Sequence, residues 1–220
     1  MSFRIITIDG PAGAGKTTVS KALSKKLGCI YVDTGALYRG VAYEIKERQV
    51  DWENDQALEN FLKTLDLNFV MQGNELVLMS SGQNISAYIR TPQISMLASA
   101  CSAKPLVRSA LLEIQRNISM SQDAVFEGRD MGTVVFPNAS NKFFLFADLS
   151  IRARRRYDEL PAGLKEDIDK VQSDMKMRDT NDSQRKTAPL KPAVDAIQIN
   201  SSHLSVEQVV EKMFKIIVSA

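Results

Sequence analysis

The apolar residues in the first part of the chain alternate between short runs typical of buried strands and the three-to-four-residue period of helices. A β-branched run at residues 5–8 leads into a glycine-rich stretch, and a helical pattern follows it and ends at Gly28. A second strand is predicted at 30–32 and a second helix over 34–46. This succession predicts a βαβ unit with a glycine loop between its first strand and its first helix.

The period of the apolar residues then changes from helical to alternating. Helical spacing over 52–65 is followed by an alternation at 67–71 and another at 75–79, with Gly73-Asn74 between them. Two alternating runs around such a pair predict a β-hairpin. A hairpin inside a βαβ chain indicates a small inserted subdomain.

The second half of the chain returns to a succession of strands and helices. A helix over 106–118 precedes a strand at 124–126, which ends at a charged stretch, 127–130. The run at 142–147 is apolar on both alternations, as expected for a central parallel strand that is covered on both faces. The remaining predicted elements are a helix over 151–177 with a break at Leu160-Pro161-Ala162-Gly163, a strand at 196–199 and a closing helix that starts near Ser205.

The composition predicts one domain with a full core. The chain has 220 residues, 44% of them hydrophobic, and we expect a single domain over 1–220. Its net charge of +2 is too small to indicate a nucleic-acid or membrane surface, and no apolar run is long enough to cross a bilayer. Without a signal peptide, and with Cys29 and Cys101 too sparse for a disulfide framework, a cytoplasmic protein with reduced thiols is expected. The single histidine, His203, argues against hydrolytic triads and multi-histidine metal sites.

The glycine-rich stretch has the spacing of a phosphate-binding loop. Residues 10–17 match G-x-x-x-x-G-K-[ST] at every fixed position and lie between a predicted strand and a predicted helix. Successive N–H groups of such a loop converge on a phosphate, and the helix adds its positive N-terminal end. We expect Lys16, in a solvent-facing loop, to reach the β- and γ-phosphates, and Thr17 to offer its hydroxyl to Mg²⁺. The residues assigned to ATP are Gly10, Pro11, Ala12, Gly13, Ala14, Gly15, Lys16, Thr17 and Thr18.

A phosphate loop alone does not separate kinases from switch GTPases, transport ATPases or helicases. Asn141-Lys142 is followed by Phe143-Phe144, so the guanine-reading Asn-Lys-x-Asp motif is missing. The chain is also too short for the paired motor domains of a helicase. For the loop itself, the alternative interpretation is a chance glycine turn before an ordinary helix.

Several arginines follow predicted strand ends, as a site for two polyanions requires. Arg39 comes after the second strand, Arg129 after the strand at 124–126, and Arg178 and Arg185 bracket two aspartates. Ligands of open α/β sheets bind at the carboxyl ends of strands, so these arginines and the phosphate loop are expected in one cleft. For any single arginine the alternative is a solvated surface charge.

A second group of arginines crowds the start of one predicted helix. We interpret it as a mobile lid that excludes water from the site, in preference to a nucleic-acid surface, because the net charge is small and aromatic residues are not interleaved. Its members, one or two of which we expect to be structural, are Arg152, Arg154, Arg155 and Arg156.

Four segments form a combined pattern that is more specific than the phosphate loop alone. They are ITIDGP at 6–11, DTGALYR at 33–39, EGRDMGTVVFP at 127–137 and PLKPAVDA at 189–196. On these segments the chain resembles the bacterial cytidylate kinases, within the nucleoside monophosphate kinase group of P-loop proteins.

The resemblance implies an α/β fold with a P-loop kinase core. This core has a five-stranded parallel sheet flanked by helices, a monophosphate-binding region over about 36–100 that contains the hairpin, and a short lid over about 152–180. The implied activity is phosphoryl transfer from ATP to CMP or dCMP with Mg²⁺. Neither nucleic acid nor membrane is expected as a partner, and we expect a monomer.

Matching positions imply the roles of individual residues. Three arginines are suited to the phosphates: Arg39, Arg129 and Arg185. Three residues resemble the base-reading set: Ser99, Arg108 and Asp130. Arg178 and Asp182 resemble the sugar contacts, and Thr34 completes the acceptor site. The implied catalytic residues are Lys16, Arg129 and Arg185.

Three positions depart from the family pattern. Related sequences often carry arginines where this chain has Asn181 and Ser183, and an acidic residue where it has Phe146. The acidic residue on the metal side is therefore left open, with Asp9 and Asp33 as candidates.

Two other functions remain open from the sequence. One is a P-loop kinase for another small acceptor, such as UMP, a sugar or a shikimate-like acid, although acceptors without a phosphate would not need so many arginines. The other is a nucleotide-dependent binding switch that hydrolyses ATP slowly.

Overall fold

The computed structural model describes residues 3–73, 75–119, 122–160 and 167–219. Its strands are, in chain order, β1 (Ile5–Asp9), β2 (Ile30–Asp33), β3 (Leu67–Gln72), β4 (Glu75–Ser80), β5 (Gln83–Asn84), β6 (Ala124–Gly128), β7 (Asn141–Phe146) and β8 (Ile197–Asn200). Its α-helices are α1 (Lys16–Leu27), α2 (Thr34–Glu47), α3 (Asp55–Lys63), α4 (Pro92–Cys101), α5 (Pro105–Ile118), α6 (Leu149–Glu159), α7 (Ile168–Gln184) and α8 (Val206–Ser219). Asn74 of the predicted hairpin turn and residues 161–163 of the predicted helix break lie outside the described residues.

The larger sheet is parallel and has the strand order β2-β6-β1-β7-β8. Successive residues of β6 point to opposite faces, as the strand period requires. Val125 lies in an apolar cluster with residues of α1 and α8, whereas Ala124 and Phe126 belong to the cluster on the other face. The prediction of an α/β fold with a five-stranded parallel sheet is confirmed.

The smaller sheet is the inserted hairpin. β3 and β4 pair antiparallel from Leu67 opposite Ser80 to Gln72 opposite Glu75, and β5 adds a short third strand. Its buried residues, such as Leu67 and Leu78, share an apolar cluster with α2, α4 and α5. The predicted hairpin is therefore confirmed, while its part in acceptor binding remains a prediction.

Other elements differ from the sequence prediction. The helical region predicted over 151–177 consists of α6 and α7, and α7 continues to Gln184. Helix α4 was not predicted: Thr91 caps it by accepting from the Ile94 N–H at 3.2 Å, and Pro92 occupies its first turn. A π-helical turn, Met131–Val135, follows β6. None of the helices in the described ranges combines the length and the apolar character needed to cross a membrane.

Candidate active site

The phosphate loop connects the end of β1 to the start of α1. Gly15 has φ 85°, a left-handed conformation that glycine adopts without strain, and α1 begins at the next residue. A Cβ atom on Gly10 would lie 1.9 Å from the carbonyl oxygen of Leu145, so the loop can approach β7 this closely only with glycine. The N-terminal end of α1 is therefore held beside a cleft, where an anion is favoured.

Lys16 is buried, which corrects the expectation of a solvent-facing lysine. It is 4% exposed, and its ammonium group donates to the carbonyl oxygen of Pro11 at 2.8 Å. Burial lowers the pKa of Lys16 to about 7, with Arg129 as the next cause and Glu127 opposing it. Lys16 thus has little solvent around it, and its charged form is stabilised by an added negative charge.

A single cleft of about 270 Å³ adjoins the carboxyl ends of β1, β2 and β6. Of the nine residues assigned to ATP, it is lined by Ala12, Gly13, Gly15, Lys16, Thr17 and Thr18. It is also lined by all nine residues assigned to the acceptor, namely Thr34, Arg39, Ser99, Arg108, Arg129, Asp130, Arg178, Asp182 and Arg185. Among the residues that the structure describes, seven arginines and one lysine line this cleft against five carboxylates, so its formal charge fits a polyanionic ligand.

A buried ion pair joins two of the predicted base-reading residues. Arg108 donates to the carboxylate of Asp130, and their side chains are 8% and 3% exposed. The Arg108 guanidinium lies 5.3 Å from the centre of the Tyr38 ring, which is within the range of a cation–π contact. Arg185 completes the group, with its Nη2 atom 3.9 Å from Asp130. Asp130 therefore faces two arginines of the cleft, neither of which is its neighbour Arg129.

Asp182 of α7 holds a second pair of arginines. Its carboxylate accepts from Nε of Arg129 at 3.2 Å and lies 3.8 Å from Nη1 of Arg185. Arg39 has a separate partner, Asp33, at 2.7 Å. The phosphate arginines predicted from the sequence are thus oriented by carboxylates before any ligand is present.

Three cleft arginines keep a buried N–H group with no acceptor among the described residues: Arg39 Nε, Arg178 Nε and Arg185 Nη2. A buried donor without a partner costs about 1–3 kcal/mol, and more when it is charged. Burial, with Arg129 as the next cause, lowers the pKa of Arg178 to about 10, and burial also lowers the pKa of Arg185. A bound anion supplies both the missing acceptors and the missing negative charge.

The acidic residue beside the phosphate-loop hydroxyl is Glu127, which has no assigned role in the sequence analysis. It accepts from Thr17 Oγ1 at 2.9 Å and from the Tyr31 hydroxyl at 2.6 Å. The two candidates named there have other partners: Asp9 accepts from two backbone N–H groups beyond β6, and Asp33 pairs with Arg39. Its position in the sequence could have indicated this residue, because Glu127 lies near the carboxyl end of β6, the strand between β1 and β2.

The four arginines at the start of α6 do not act as one group. Arg152 is buried and donates to the carbonyl oxygens of Ala147 at 2.9 Å and Ala12 at 3.1 Å, and it pairs with Asp179 at 2.7 Å. These contacts make it part of the wall behind the phosphate loop.

The other three arginines have different surroundings. Arg155 donates to the carbonyl oxygen of Ser201 at 2.7 Å, and Arg154 is exposed and pairs with Asp158 one turn away. Arg156 is the member of the group that lines the cleft. The expectation that one or two of the four are structural fits Arg152 and Arg155.

Nearly the whole chain is similar to proteins of one known family. The family model described as cytidylate kinase matches residues 6–219. The chain is 42% identical to the cytidylate kinase of Geobacter sulfurreducens, an alignment that covers 97% of this chain and 92% of that protein. It is 46% identical to the cytidylate kinase of Thermosipho melanesiensis, with coverage of 96% and 95%.

A solved structure of shikimate kinase from Bacteroides thetaiotaomicron aligns with 98% of both chains at a TM-score of 0.50 and 14% identity. At that identity the likeness concerns the fold alone. The sequence matches go further, because they extend over nearly the whole of this chain and of the relatives. The chain belongs to the cytidylate kinase family, which confirms the resemblance and the kinase class predicted from its sequence.

Proposed function

We propose that this protein transfers the γ-phosphoryl group of ATP to CMP or dCMP, giving ADP and CDP or dCDP. The observation that carries the proposal is a set of three buried guanidinium N–H groups that find no acceptor in the described ranges, on Arg39, Arg178 and Arg185, in the cleft that adjoins the phosphate loop. A kinase whose acceptor already carries a phosphate must hold two polyanions side by side, and such a cleft suits that task.

On the donor side, residues 10–18 hold the phosphates of ATP. Lys16 exchanges its contact with the Pro11 carbonyl for the β- and γ-phosphate oxygens, where its charge opposes the negative charge that develops on transfer. Its surroundings exclude most water, so this interaction is stronger than the same contact in solution.

Thr17 and Glu127 fit a magnesium ion. A hydroxyl and a carboxylate that lie 2.9 Å apart are oxygen ligands of the kind Mg²⁺ prefers, and this ion commonly takes only one or two protein oxygens besides phosphates and water. Thr17 and Glu127 would hold the ion, whose charge would offset part of the negative charge of the ATP phosphates. The hydrogen bond from Tyr31 keeps the Glu127 carboxylate turned toward the loop.

On the acceptor side, Arg39, Arg129 and Arg185 hold the monophosphate. They orient an oxygen of that phosphate for in-line attack on the γ-phosphorus, and ADP leaves from the opposite side. Their carboxylate partners, Asp33 and Asp182, fix the arginines in advance, which lowers the entropic cost of binding.

The base and the sugar lie farther from the transferred group. Asp130 accepts from the amino group of cytosine and Arg108 donates to the ring, while Ser99 completes the base contacts. Arg178 and Asp182 face the ribose. This assignment explains why an ion pair of two side chains lies buried in a cleft rather than on the surface.

Residues 152–180 are proposed as the lid, and Arg156 and Arg178 are its arginines that line the cleft. Closure over the nucleotides would exclude water from the transferred group. Amide hydrogen exchange in α6 and α7 should slow when a two-substrate analogue is bound, whereas unchanged exchange in the occupied protein would favour a static wall.

Initial rates with a panel of acceptors test the proposal. ADP formation should be fast with CMP and dCMP and much slower with UMP, shikimate or gluconate. A preference for an acceptor without a phosphate would overturn the assignment of the arginines. ATP hydrolysis at an equal rate with and without every acceptor would favour the nucleotide-dependent switch.

Two broader expectations accompany this function. We expect the enzyme to be a monomer, since one chain supplies to its cleft all nine residues assigned to the acceptor and six of the nine assigned to ATP, and light scattering measures this directly. We also expect it to work in the cytoplasm, where both nucleotides are available, and fractionation of cells tests that location.

A further inference from the structure

Asp9 joins the donor loop to the acceptor loop through two hydrogen bonds. It is the last residue of β1, directly before Gly10, and it is 4% exposed. Its Oδ1 accepts from the N–H of Met131 at 2.9 Å and its Oδ2 from the N–H of Gly132 at 2.8 Å. Both oxygens of one buried carboxylate are thus used on consecutive backbone groups of another loop.

Those backbone groups directly follow two residues of the acceptor site. Arg129 and Asp130 end the segment after β6, and the π-helical turn begins at Met131. The first N–H groups of a helical turn have no partner within the turn and need outside acceptors. Asp130, the residue before the turn, makes no side-chain cap. The Asp9 carboxylate, at the end of the neighbouring strand β1, accepts from the first N–H groups of the turn instead.

The turn is also closely packed, so a change at Asp9 cannot be absorbed locally. A Cβ atom on Gly132 would lie 3.1 Å from Thr7 Oγ1, and one on Gly128 would lie 2.7 Å from the Met131 side chain. A displaced turn therefore moves the backbone that carries Arg129 and Asp130. Burial raises the pKa of Asp9 to about 6, so the carboxylate is ionised at pH 7.5.

We propose that Asp9 is a positioning residue for the acceptor site: from the strand that carries the phosphate loop, it fixes the turn that presents Arg129 and Asp130. It follows that a residue next to the donor motif controls the affinity for the acceptor. This inference rests on the proposed function, because it takes CMP as the ligand of Asp130.

The test is Asp9→Asn, with CMP and ADP affinities measured separately by calorimetry at pH 7.5. The amide keeps the shape of the carboxylate, but its NH₂ group is a donor and cannot accept from one of the two backbone N–H groups. The dissociation constant for CMP should rise roughly 10-fold, as expected for one buried donor left unsatisfied. The dissociation constant for ADP should change less than about 2-fold, because the phosphate loop keeps its glycines and Lys16.

The matched control is Glu44→Gln, which also removes a buried carboxylate. Glu44 of α2 accepts from Ser80 at 2.6 Å and from Arg48 at 2.7 Å, and it does not line the cleft. This variant should lose stability and keep both nucleotide affinities. If Asp9→Asn does not fold, Asp9→Ser replaces it. The shorter serine side chain introduces neither a buried charge nor the amide NH₂ group. CMP binding should again weaken while ADP binding stays nearly unchanged.

The two measured affinities distinguish a positioning role of Asp9 from a purely structural one. Weaker CMP binding with unchanged ADP binding supports the positioning role. Unchanged CMP binding, or an equal loss for both nucleotides, overturns it and leaves Asp9 as a structural residue of β1. Wild-type protein that binds ADP but not CMP would overturn the proposed function together with this inference.

Discussion

The two ends of the cleft recognise phosphate by different means. At the donor end, the chain backbone makes the site, and one lysine is its principal charged side chain. At the acceptor end, side chains from α2, α4, α5, α7 and the segment after β6 make it, and carboxylates such as Asp130 and Asp182 hold the arginines in pairs. A backbone site suits a phosphate chain common to many nucleotides, whereas a side-chain site can discriminate one acceptor from another.

The two ends of the cleft also differ in how their buried positive charges are balanced by neighbouring groups. The acceptor arginines are partly neutralised by Asp130, Asp182 and Asp33. Within the described part of the chain, Lys16 has the Pro11 carbonyl as its one hydrogen-bond partner, and it is nearly enclosed. The donor end therefore carries an unfavourable buried cation. The acceptor end carries a preorganised network in which three N–H groups have no acceptor among the residues that the structure describes.

The sharpest test of the donor end is Lys16→Met. We expect kcat to fall by about 10³ to 10⁵, the range known for an arginine finger, which is also a positioned cation at a transferred phosphoryl group. Binding of CMP should change little, because Lys16 belongs to the donor side. The control is Lys21→Met, which removes an exposed lysine from the same helix. A folded Lys16→Met variant with most of the wild-type kcat would break the distinction between the two ends.

The acceptor end is tested by base choice with Asp130→Asn. Cytosine offers an amino donor beside an acceptor nitrogen, and uracil reverses both, so a carboxylate with a guanidinium fits only cytosine. Wild type should prefer CMP over UMP by at least roughly 10²-fold in kcat/KM. The variant should narrow this ratio, mainly by weakening CMP. Asp182→Asn is the control and should lower kcat/KM for CMP and for UMP together. An unchanged ratio of the two values in Asp130→Asn would show that Asp130 is a structural residue.

A smaller effect is expected where α6 supports the donor loop. Arg152→Met should lower the free energy of unfolding by about 1–3 kcal/mol, because it leaves buried carbonyl groups and Asp179 without their donor. Arg154→Met, two residues along the same helix but exposed, should change it by less than about 0.5 kcal/mol. Urea midpoints measure both. Equal losses would mean that the four arginines do form one surface group.

The last prediction concerns the pH dependence of stability at the donor end. Burial lowers the pKa of Lys16 from 10.5 to about 7 in the native state. Below pH 7 Lys16 is charged in both the native and the unfolded state, and its buried charge destabilises the fold. Between about pH 7 and pH 10.5 only the unfolded chain binds the proton, so the free energy of unfolding of the wild type rises with pH. Lys16→Met should therefore be more stable than wild type at pH 6, by a margin that shrinks as pH rises through this window. A constant margin in thermal or urea unfolding would contradict a buried cation.

The sequence predicted what local pattern determines and missed what distant packing determines. The loop at 10–17 and the parallel strands follow from residue spacing within short windows. The burial of Lys16 does not, because the charged groups around it, Arg129, Glu127 and Arg178, lie far along the chain and are brought to the loop only by the fold. The role of Glu127 depends on the strand order, which places it beside Thr17.

The acceptor residues show the same division. Spacing alone identified arginines near strand ends, but their roles came from resemblance to a family, since Arg108 and Asp130 are brought together only by the fold. The cluster at 152–156 indicated a lid, yet Arg152 and Arg155 contact carbonyls on segments far along the chain, which no window of sequence reveals.

The strand order has a consequence for synthesis of the chain. β1 and β2 are not neighbours, and both pair with β6. A growing chain can close its antiparallel hairpin early, but its first two parallel strands have no ladder partner until residues 124–128 have left the ribosome. At roughly 5–20 residues per second, this leaves the strand that bears the nucleotide loop unpaired for about 6 to 25 s. During that interval its apolar residues are open to chaperones, and ATP cannot act as a ligand that assists folding until over half of the protein has been translated.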